Sequence, residues 1–351
     1  MSKDQKNVLI TGAAGFIGSH LVEHCIKMGH RVYGVDNLSR KGTSYNLNYL
    51  TSNYSSSFSD HLIDLTNKKH LDTFFRNLGP FDWIAHEAGQ VAVTTSLEDP
   101  IGDFNTNAMA TLNLLEAIRH FSPNARLAFA STNKVYGKLS GLEVLEHDDH
   151  YTFEKSFSGV SEEQPLDFQS PYGCSKGCAD QYVSDYARSF NLTTAVIRQS
   201  CIYGTRQFGL EDQGWVAWFL IATALGKPIT IYGNGKQVRD LLWIDDLCEL
   251  YLKFWKSENF PAGTPINVGG GTENCLSIQQ LFELLKNHDI RPEKLGFSDW
   301  RQGDQKIFSS DNSLAKKLLD WYPKTTPQQG ILKLWGWIKE NRSQIEKLFF
   351  K

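Results

Sequence analysis

Gly12, Gly15 and Gly18 stand three residues apart, directly after the apolar run Val8-Leu9-Ile10 and at the head of an amphipathic stretch that continues to Met28. A strand, a glycine turn and a helix in that order leave a chain few folds to choose from. Gly12 permits the tight turn, Gly15 lets the backbone approach a pyrophosphate, and Gly18 allows close packing of helix on strand. Backbone N–H groups at the helix start would then face the anion. Asp36 ends the next β-type run, 18 residues after Gly18, where a carboxylate takes a ribose 2′-hydroxyl. Its charge would repel a 2′-phosphate, which favours NAD over NADP, while Arg40 nearby keeps NADP as the alternative.

The same alternation continues through the first two thirds of the chain. Residues 31–36, 61–65, 83–86, 127–131 and 194–198 read as strands, with helical patterns over 68–78 and 106–120 between them. Strands alternating with helices predict an α/β fold, a doubly wound parallel sheet with helices on both faces. After Gly204 the pattern changes: an apolar helical stretch over 215–225 leads to a strand at 229–232 and a Gly233-Asn234-Gly235 turn. Residues 241–244 and 265–268 are expected to return to the main sheet. The expected division is a dinucleotide-binding domain of 1–204 plus about 235–272, and a smaller, mostly helical C-terminal substrate lobe of about 205–234 plus 273–351. Residues 138–169 are polar, acidic and Ser-rich, and read as a long surface excursion.

Composition narrows the class. A chain of 351 residues with 21% charged residues and a net charge of −3 has neither the basic surplus of a nucleic-acid binder nor a disordered bias. The longest apolar run covers eleven residues, 215–225, against the roughly 20 needed to span a bilayer. The first strand starts almost at once, leaving no room for a secretory signal. Six cysteines without a CxxC pair read as reduced thiols of a cytoplasmic protein. His20/His24 and His147/His150 gain no further ligands from nearby sequence, so no metal site is expected.

Tyr172 and Lys176 lie four residues apart on a helix introduced by Pro171, so phenol and ammonium share a face. A neighbouring ammonium together with a positive nicotinamide ring would favour phenolate and make Tyr172 a base near neutral pH. Thr132, at the end of the fifth strand, could hydrogen-bond the reacting oxygen and share its proton. Asp64 reads either as an adenine contact or as the N-cap of the following helix.

These residues resemble the extended short-chain dehydrogenase/reductase (NAD-dependent epimerase/dehydratase) family over essentially the whole chain. The resemblance is carried by TGAAGFIG (11–18), His86-Glu87-Ala88-Gly89-Gln90, STNKVYG (131–137), the Tyr172/Lys176 pair and Gly233-Asn234-Gly235-Lys236-Gln237-Val238-Arg239-Asp240. It implies a Rossmann fold and a nucleotide-sugar epimerase that oxidises the sugar with tightly held NAD, lets the flat ketone rotate, and returns the hydride to its other face. Within the family the likeness is to enzymes inverting C2 of a CDP-linked hexose. A UDP- or dTDP-sugar 4-epimerase, or a silent dinucleotide-sensing protein of the same fold, are the alternatives.

The resemblance assigns Thr132, Tyr172 and Lys176 as the catalytic trio. It places Gly12, Gly15, Phe16, Ile17, Gly18, Asp36, Asn37, Arg40, Asp64, Leu65, Ala88, Gln90 and Asn107 at the cofactor together with Tyr172 and Lys176. Thr95, Thr132, Asn133, Cys201, Arg206, Gly214, Arg239 and Arg301 are assigned to the nucleotide-diphosphate sugar, the two last arginines to its diphosphate. A homodimer or homotetramer is implied, built on helices around 104–120 and 171–190, with no nucleic-acid or membrane partner. Family dehydratases carry an acid and a base where this chain has Asn133 and Lys134, and an amide and an ammonium cannot eliminate water that way. Two positions depart from the pattern: Glu87 stands where the family has an apolar residue, and Ala110 where it has glycine.

Overall fold

The computed structural model describes residues 5–154, 157–300 and 304–350. The chain divides into two compact units, one comprising residues 1–135, 170–198 and 248–266, the other 136–169, 199–247 and 267–351.

The first unit is built on strands β1 (Asn7–Thr11), β2 (Arg31–Asp36), β3 (Phe58–Leu62), β4 (Trp83–His86), β5 (Arg126–Thr132), β6 (Thr193–Gln199) and β7 (Thr264–Val268). They form one seven-stranded sheet in the order β7-β6-β5-β4-β1-β2-β3. The ladders that join β3, β2, β1, β4 and β5 all run parallel. Strand order therefore reverses between β1 and β4, and ligands of such sheets bind beyond the carboxyl ends at that point.

Helices α1 (Phe16–Lys27), α2 (Thr43–Tyr54), α3 (Lys68–Leu78), α4 (Val93–Glu98), α5 (Pro100–Phe104), α6 (Ala110–Phe121), α7 (Ser170–Phe190) and α8 (Ile244–Lys256) complete the connections. The inner strands β1 and β4 are buried nearly throughout because both faces are covered. On one face Leu9, Val35, Ile84, Leu127 and Phe129 pack with Leu71 and Phe75 of α3, Leu114 and Ile118 of α6 and Val183 of α7. Between α5 and α6, residues Asn105–Met109 widen into a single π-turn, a distortion frequent at functional sites.

Three expectations are corrected here. The third strand is Phe58–Leu62 rather than 61–65, so Asp64 lies beyond it. Residues 241–244 do not return to the main sheet. They belong to Val238–Trp243, which pairs with Cys275–Ser277, Ile307–Phe308 and Cys201–Tyr203 in the second unit. Its neighbours are remote in sequence, so no local pattern reveals them, and the division of the chain moves with it. Residues 138–169 are no surface loop either: Tyr151, Phe153 and Val160 are buried. Val160 donates to Ser309 O at 2.8 Å and accepts from Asn267 Nδ2 at 2.8 Å, which builds the segment into the second unit.

The second unit also carries helices Trp215–Ala224, Ile278–Lys286, Ser313–Leu319, Pro327–Glu340 and Arg342–Phe350. At its centre Asp240 is fully buried and accepts from Ser200 Oγ, Ser310 N and Gly271 N. Among the described residues no helix is long and apolar enough to cross a membrane.

Candidate active site

β1 ends at Thr11, and the chain turns at Gly12 with φ 69°. The turn is held by Gly12 N donating to Val35 O at 2.7 Å. It passes so close to the segment after β4 that a Cβ here would stand 2.7 Å from Ala88 N. A Cβ on Gly18 would fall 2.1 Å from Gly12 O, so α1 reaches the turn only because that position is glycine. Gly15 is the N-cap of α1 and brings no side chain to its first turn. The N–H groups of Phe16, Ile17 and Gly18 are thus available to an anion, which is the cradle a dinucleotide pyrophosphate requires.

Asp36 closes β2 beside this cradle. Its Oδ2 accepts from Ala14 N at 3.0 Å and its Oδ1 from Leu38 N at 2.8 Å. Burial pushes its carboxyl above the ordinary range, against the pull of those amides. The carboxylate lines a cavity of about 240 Å³ with Ala13, Gly34, Leu38, Asp60 and His61, apolar walls with a few polar groups, as small-molecule sites have. The residues present therefore fit the dinucleotide.

Not every expected cofactor residue faces that cavity. Asp64 is not the N-cap of α3; Asn67 is, its side chain accepting from His70 N at 3.2 Å. Burial alone would raise the Asp64 carboxyl, but hydrogen bonds from Thr66 and Asn37 outweigh it and hold the group below its usual value. Leu65 is a core side chain. Arg40 is exposed on the loop after β2. Asp60, His61 and Leu62, which the sequence reading missed, line the cavity instead; the signal was the strand end, displaced by about three residues in that reading.

Beyond β4, Gln90 and Asn107 meet. Asn107 Oδ1 accepts from Gln90 N at 2.9 Å, and Asn107 Nδ2 donates to Asp103 Oδ1 at 3.2 Å and Ser175 Oγ at 3.0 Å. Gln90 Nε2 donates to Asp103 Oδ1 at 2.9 Å. Asp103 and Ser175 were not singled out from sequence, because nothing local links a residue before the π-turn to one on α7.

Thr132, Tyr172 and Lys176 are brought together. Thr132 ends β5, while Tyr172 and Lys176 occupy the first two turns of α7, and all three are buried. The Thr132 hydroxyl favours ionisation of the phenol, while its own hydrogen bond goes to Asn133 Oδ1 at 3.4 Å. Lys176 Nζ donates to Ala130 O and stands 4.3 Å from the centre of the Phe129 ring. Burial raises the phenol above 10, and the groups that pull it down are Thr132 and Arg40. Burial also brings Lys176 down to about 8, although Glu87, Asp180 and Asp103 oppose it. A positive charge brought beside the phenol would favour phenolate.

Asn133 and Lys134 begin the 3₁₀ turn after Thr132, whose Oγ1 accepts from Lys134 N at 3.2 Å. Thr95 is exposed on α4. The remaining sugar-side candidates belong to the second unit. Cys201 begins the strand Cys201–Tyr203, its thiol pushed up to about 12 by burial and by Asp240. Arg206 is buried with φ 57°, and Gly214 caps the helix Trp215–Ala224 with φ 73°. Arg239 donates to Val238 O at 2.8 Å, and Asp304 is the foremost of the charges that oppose the effect of its burial. Arg301 lies outside the described residues.

Comparison with known proteins agrees with this fold. The sequence model described as the NAD dependent epimerase/dehydratase family matches residues 8–269. A CDP-paratose 2-epimerase of Salmonella typhi is 42% identical over 338 residues, covering 94% of this chain and 98% of that protein. A UDP-glucuronate 4-epimerase of Thermodesulfobacterium geofontis is 32% identical, covering 97% and 98%. Among solved structures, a UDP-glucuronic acid 4-epimerase from Bacillus cereus, in complex with UDP-glucuronic acid and NAD, superposes with a TM-score of 0.81 at 28% identity, covering 95% of this chain and 99% of that one.

Proposed function

The chain belongs to the NAD dependent epimerase/dehydratase family, and from that premise we propose that it is a nucleotide-sugar epimerase inverting C2 of a CDP-linked hexose, CDP-paratose to CDP-tyvelose. The observation that carries this reading is the buried Thr132–Tyr172–Lys176 constellation at the carboxyl end of β5, in a chain 42% identical to an enzyme of that name.

Bound NAD supplies a reversible two-electron acceptor, without which an unactivated carbinol carbon cannot be inverted. The first-turn amides of α1 hold its pyrophosphate and Asp36 its ribose. Tyr172 removes the proton of the sugar hydroxyl and later restores it; Thr132 bonds the same oxygen and fixes the phenol. Lys176 holds its ammonium on Ala130 O in the same pocket, and Thr132 is the neighbour that favours loss of the phenol's proton. Asn133 and Lys134 bear no acid–base pair for eliminating water, so the chemistry stops at epimerisation. Cys201, Arg206, Gly214, Arg239 and Arg301 are the sugar-nucleotide side, with arginine suited to a diphosphate.

A UDP-sugar 4-epimerase is the second reading, favoured by the 32% identity to a UDP-glucuronate 4-epimerase. Incubation with CDP-paratose, UDP-glucose, UDP-glucuronate and dTDP-glucose, with NMR location of the inverted carbon, decides between them. C2 inversion of the CDP-sugar is expected. Inversion at C4 of a UDP-sugar alone overturns the first reading.

We place the enzyme in the cytoplasm, consistent with six cysteines of which none forms a disulfide. We also expect a homo-oligomer, because Ile101, Phe104, Met109, Tyr182 and Phe190 are exposed apolar residues on α5, the π-turn and α7.

A further inference from the structure

We propose that Asp180, clamped between Arg198 and Ser131, is a positioning residue of the active site: it sets the register of α7 on β5, and with it the placing of Tyr172 and Lys176 against Thr132. The inference rests on the reading of these three as the reacting groups. By strand alternation Leu127, Phe129 and Ser131 lie on one face of β5, and the first two pack in the apolar core with Val183 of α7. The third carries a hydroxyl and stands one residue before Thr132. On α7, Tyr172, Lys176 and Asp180 follow at intervals of four and share a face. Lys176 Nζ donates to Ala130 O, and Ser131 Oγ donates to Asp180 Oδ2 at 2.6 Å. Successive turns of the helix thus grip successive residues of the strand.

The grip is stiff because the carboxylate is also held from a third element. Arg198, on β6 next to β5 in the sheet, donates from Nε to Asp180 Oδ2 and from Nη2 to Oδ1, both at 2.9 Å. Gln181 Nε2 donates to Oδ1 at 3.0 Å. The two side chains of the ion pair are 4% and 0% exposed. A pair so buried contributes little over apolar residues of similar size, such as those that form the core beside it. What it adds is direction: a planar guanidinium fixes the plane of the carboxylate, and Oδ2 is then presented to Ser131. An apolar pair would fill the same space and leave the helix free to slide along β5. Lys176 and Tyr172 lie one and two turns ahead of this anchor, so a shift of the helix at Asp180 is carried to both.

The test is Ser131→Ala, which removes the bond to the strand and leaves the ion pair. With whichever nucleotide sugar the wild type turns over, kcat is expected to fall about tenfold while KM holds, since a misplacement of about 1 Å costs up to about a hundredfold. Ser131→Thr keeps the hydroxyl and should retain the wild-type rate; Arg198→Lys loses the fork and should match Ser131→Ala. Added to Tyr172→Phe, Ser131→Ala should cause no further loss, because the phenol it positions is gone. A Ser131→Ala kcat within about twofold of wild type overturns the proposal, as does an undiminished loss in the Tyr172→Phe background. Should Ser131→Ala fail to fold, Arg198→Lys takes its place in each comparison. A readout that needs no sugar is the 13Cζ resonance of Tyr172 in tyrosine-labelled protein, assigned with Tyr172→Phe and expected to be displaced in Ser131→Ala. A wild type that turns over no nucleotide sugar sinks the functional reading alone. The resonance then decides: displaced, it leaves the proposal standing, and coincident with wild type, it overturns it.

Discussion

Asn107 Oδ1 accepts the backbone N–H of Gln90 at 2.9 Å, and the same side chain donates to both Asp103 and Ser175. One amide thus joins the loop after β4, the π-turn and α7 behind the site. Asn107→Ala leaves a buried N–H and a buried carboxylate short of partners, at about 1–3 kcal/mol each. Urea unfolding should show a loss of about 3 kcal/mol, and NAD affinity should weaken with it. An unaltered midpoint would mean that water replaces the amide.

Tyr172→Phe removes the only proton the phenol can exchange with the sugar while leaving ring and helix in place. A general acid–base group is worth about 10²–10⁴ in rate. Turnover should fall at least about a hundredfold with folding and bound NAD retained. Thr132→Val should cost less, since it removes a partner rather than the base. Steady-state rates together with cofactor content after purification check both.

Gly18→Ala puts a carbon 2.1 Å from Gly12 O, inside the space the turn occupies. The backbone of the pyrophosphate cradle must shift to admit it. NAD binding measured by calorimetry should weaken by about tenfold or more, whereas Gly29→Ala, where a Cβ would meet nothing within 4 Å, should leave NAD binding near wild type despite its φ of 86°.

His86 is buried between Thr11 Oγ1 at 2.7 Å and Thr111 Oγ1 at 3.0 Å, and burial together with the Lys176 charge brings it from 6.5 to about 3. The unfolded chain binds a proton below about pH 6.5 that the folded chain refuses. Stability from this group is therefore complete above that pH and is lost as pH falls toward 3, by up to about 1.4 kcal/mol per pH unit. Unfolding midpoints of wild type should drop across this range more steeply than those of His86→Gln.

Phe104 and Tyr182 are 46% and 44% exposed. A double substitution, Phe104→Glu with Tyr182→Glu, should shift the molecular mass seen by light scattering to that of one chain of 39.7 kDa. An unchanged mass would place the contact elsewhere.

The features that sequence revealed are those whose cause is local. Gly12, Gly18 and Asp36 are bound to one another by a strand, a turn and a strand end, and each stands where spacing put it. Thr132, Tyr172 and Lys176 were legible as residues but not in their electrostatics, because the burial that raises one and lowers the other depends on β5 and α7 closing over them. The strand Val238–Trp243 could not be assigned to its sheet, since its partners at 201, 275 and 307 are set by long-range pairing. Asp60 and His61 were lost to an error of about three residues in one strand. Tyr251 could not be linked to Glu87 across 164 positions of chain.

Strand β7 comes from residues 264–268, whereas β6 ends at 199. While the polypeptide is being made, at about 5–20 residues per second, β6 must wait roughly 3–14 s before its outer neighbour leaves the ribosome. Throughout that interval the nascent sheet offers an open row of amides and carbonyls, the kind of margin on which chains stack. Synthesis that pauses within the intervening stretch should thus yield inclusion bodies, and slower translation after residue 268 should have no such effect.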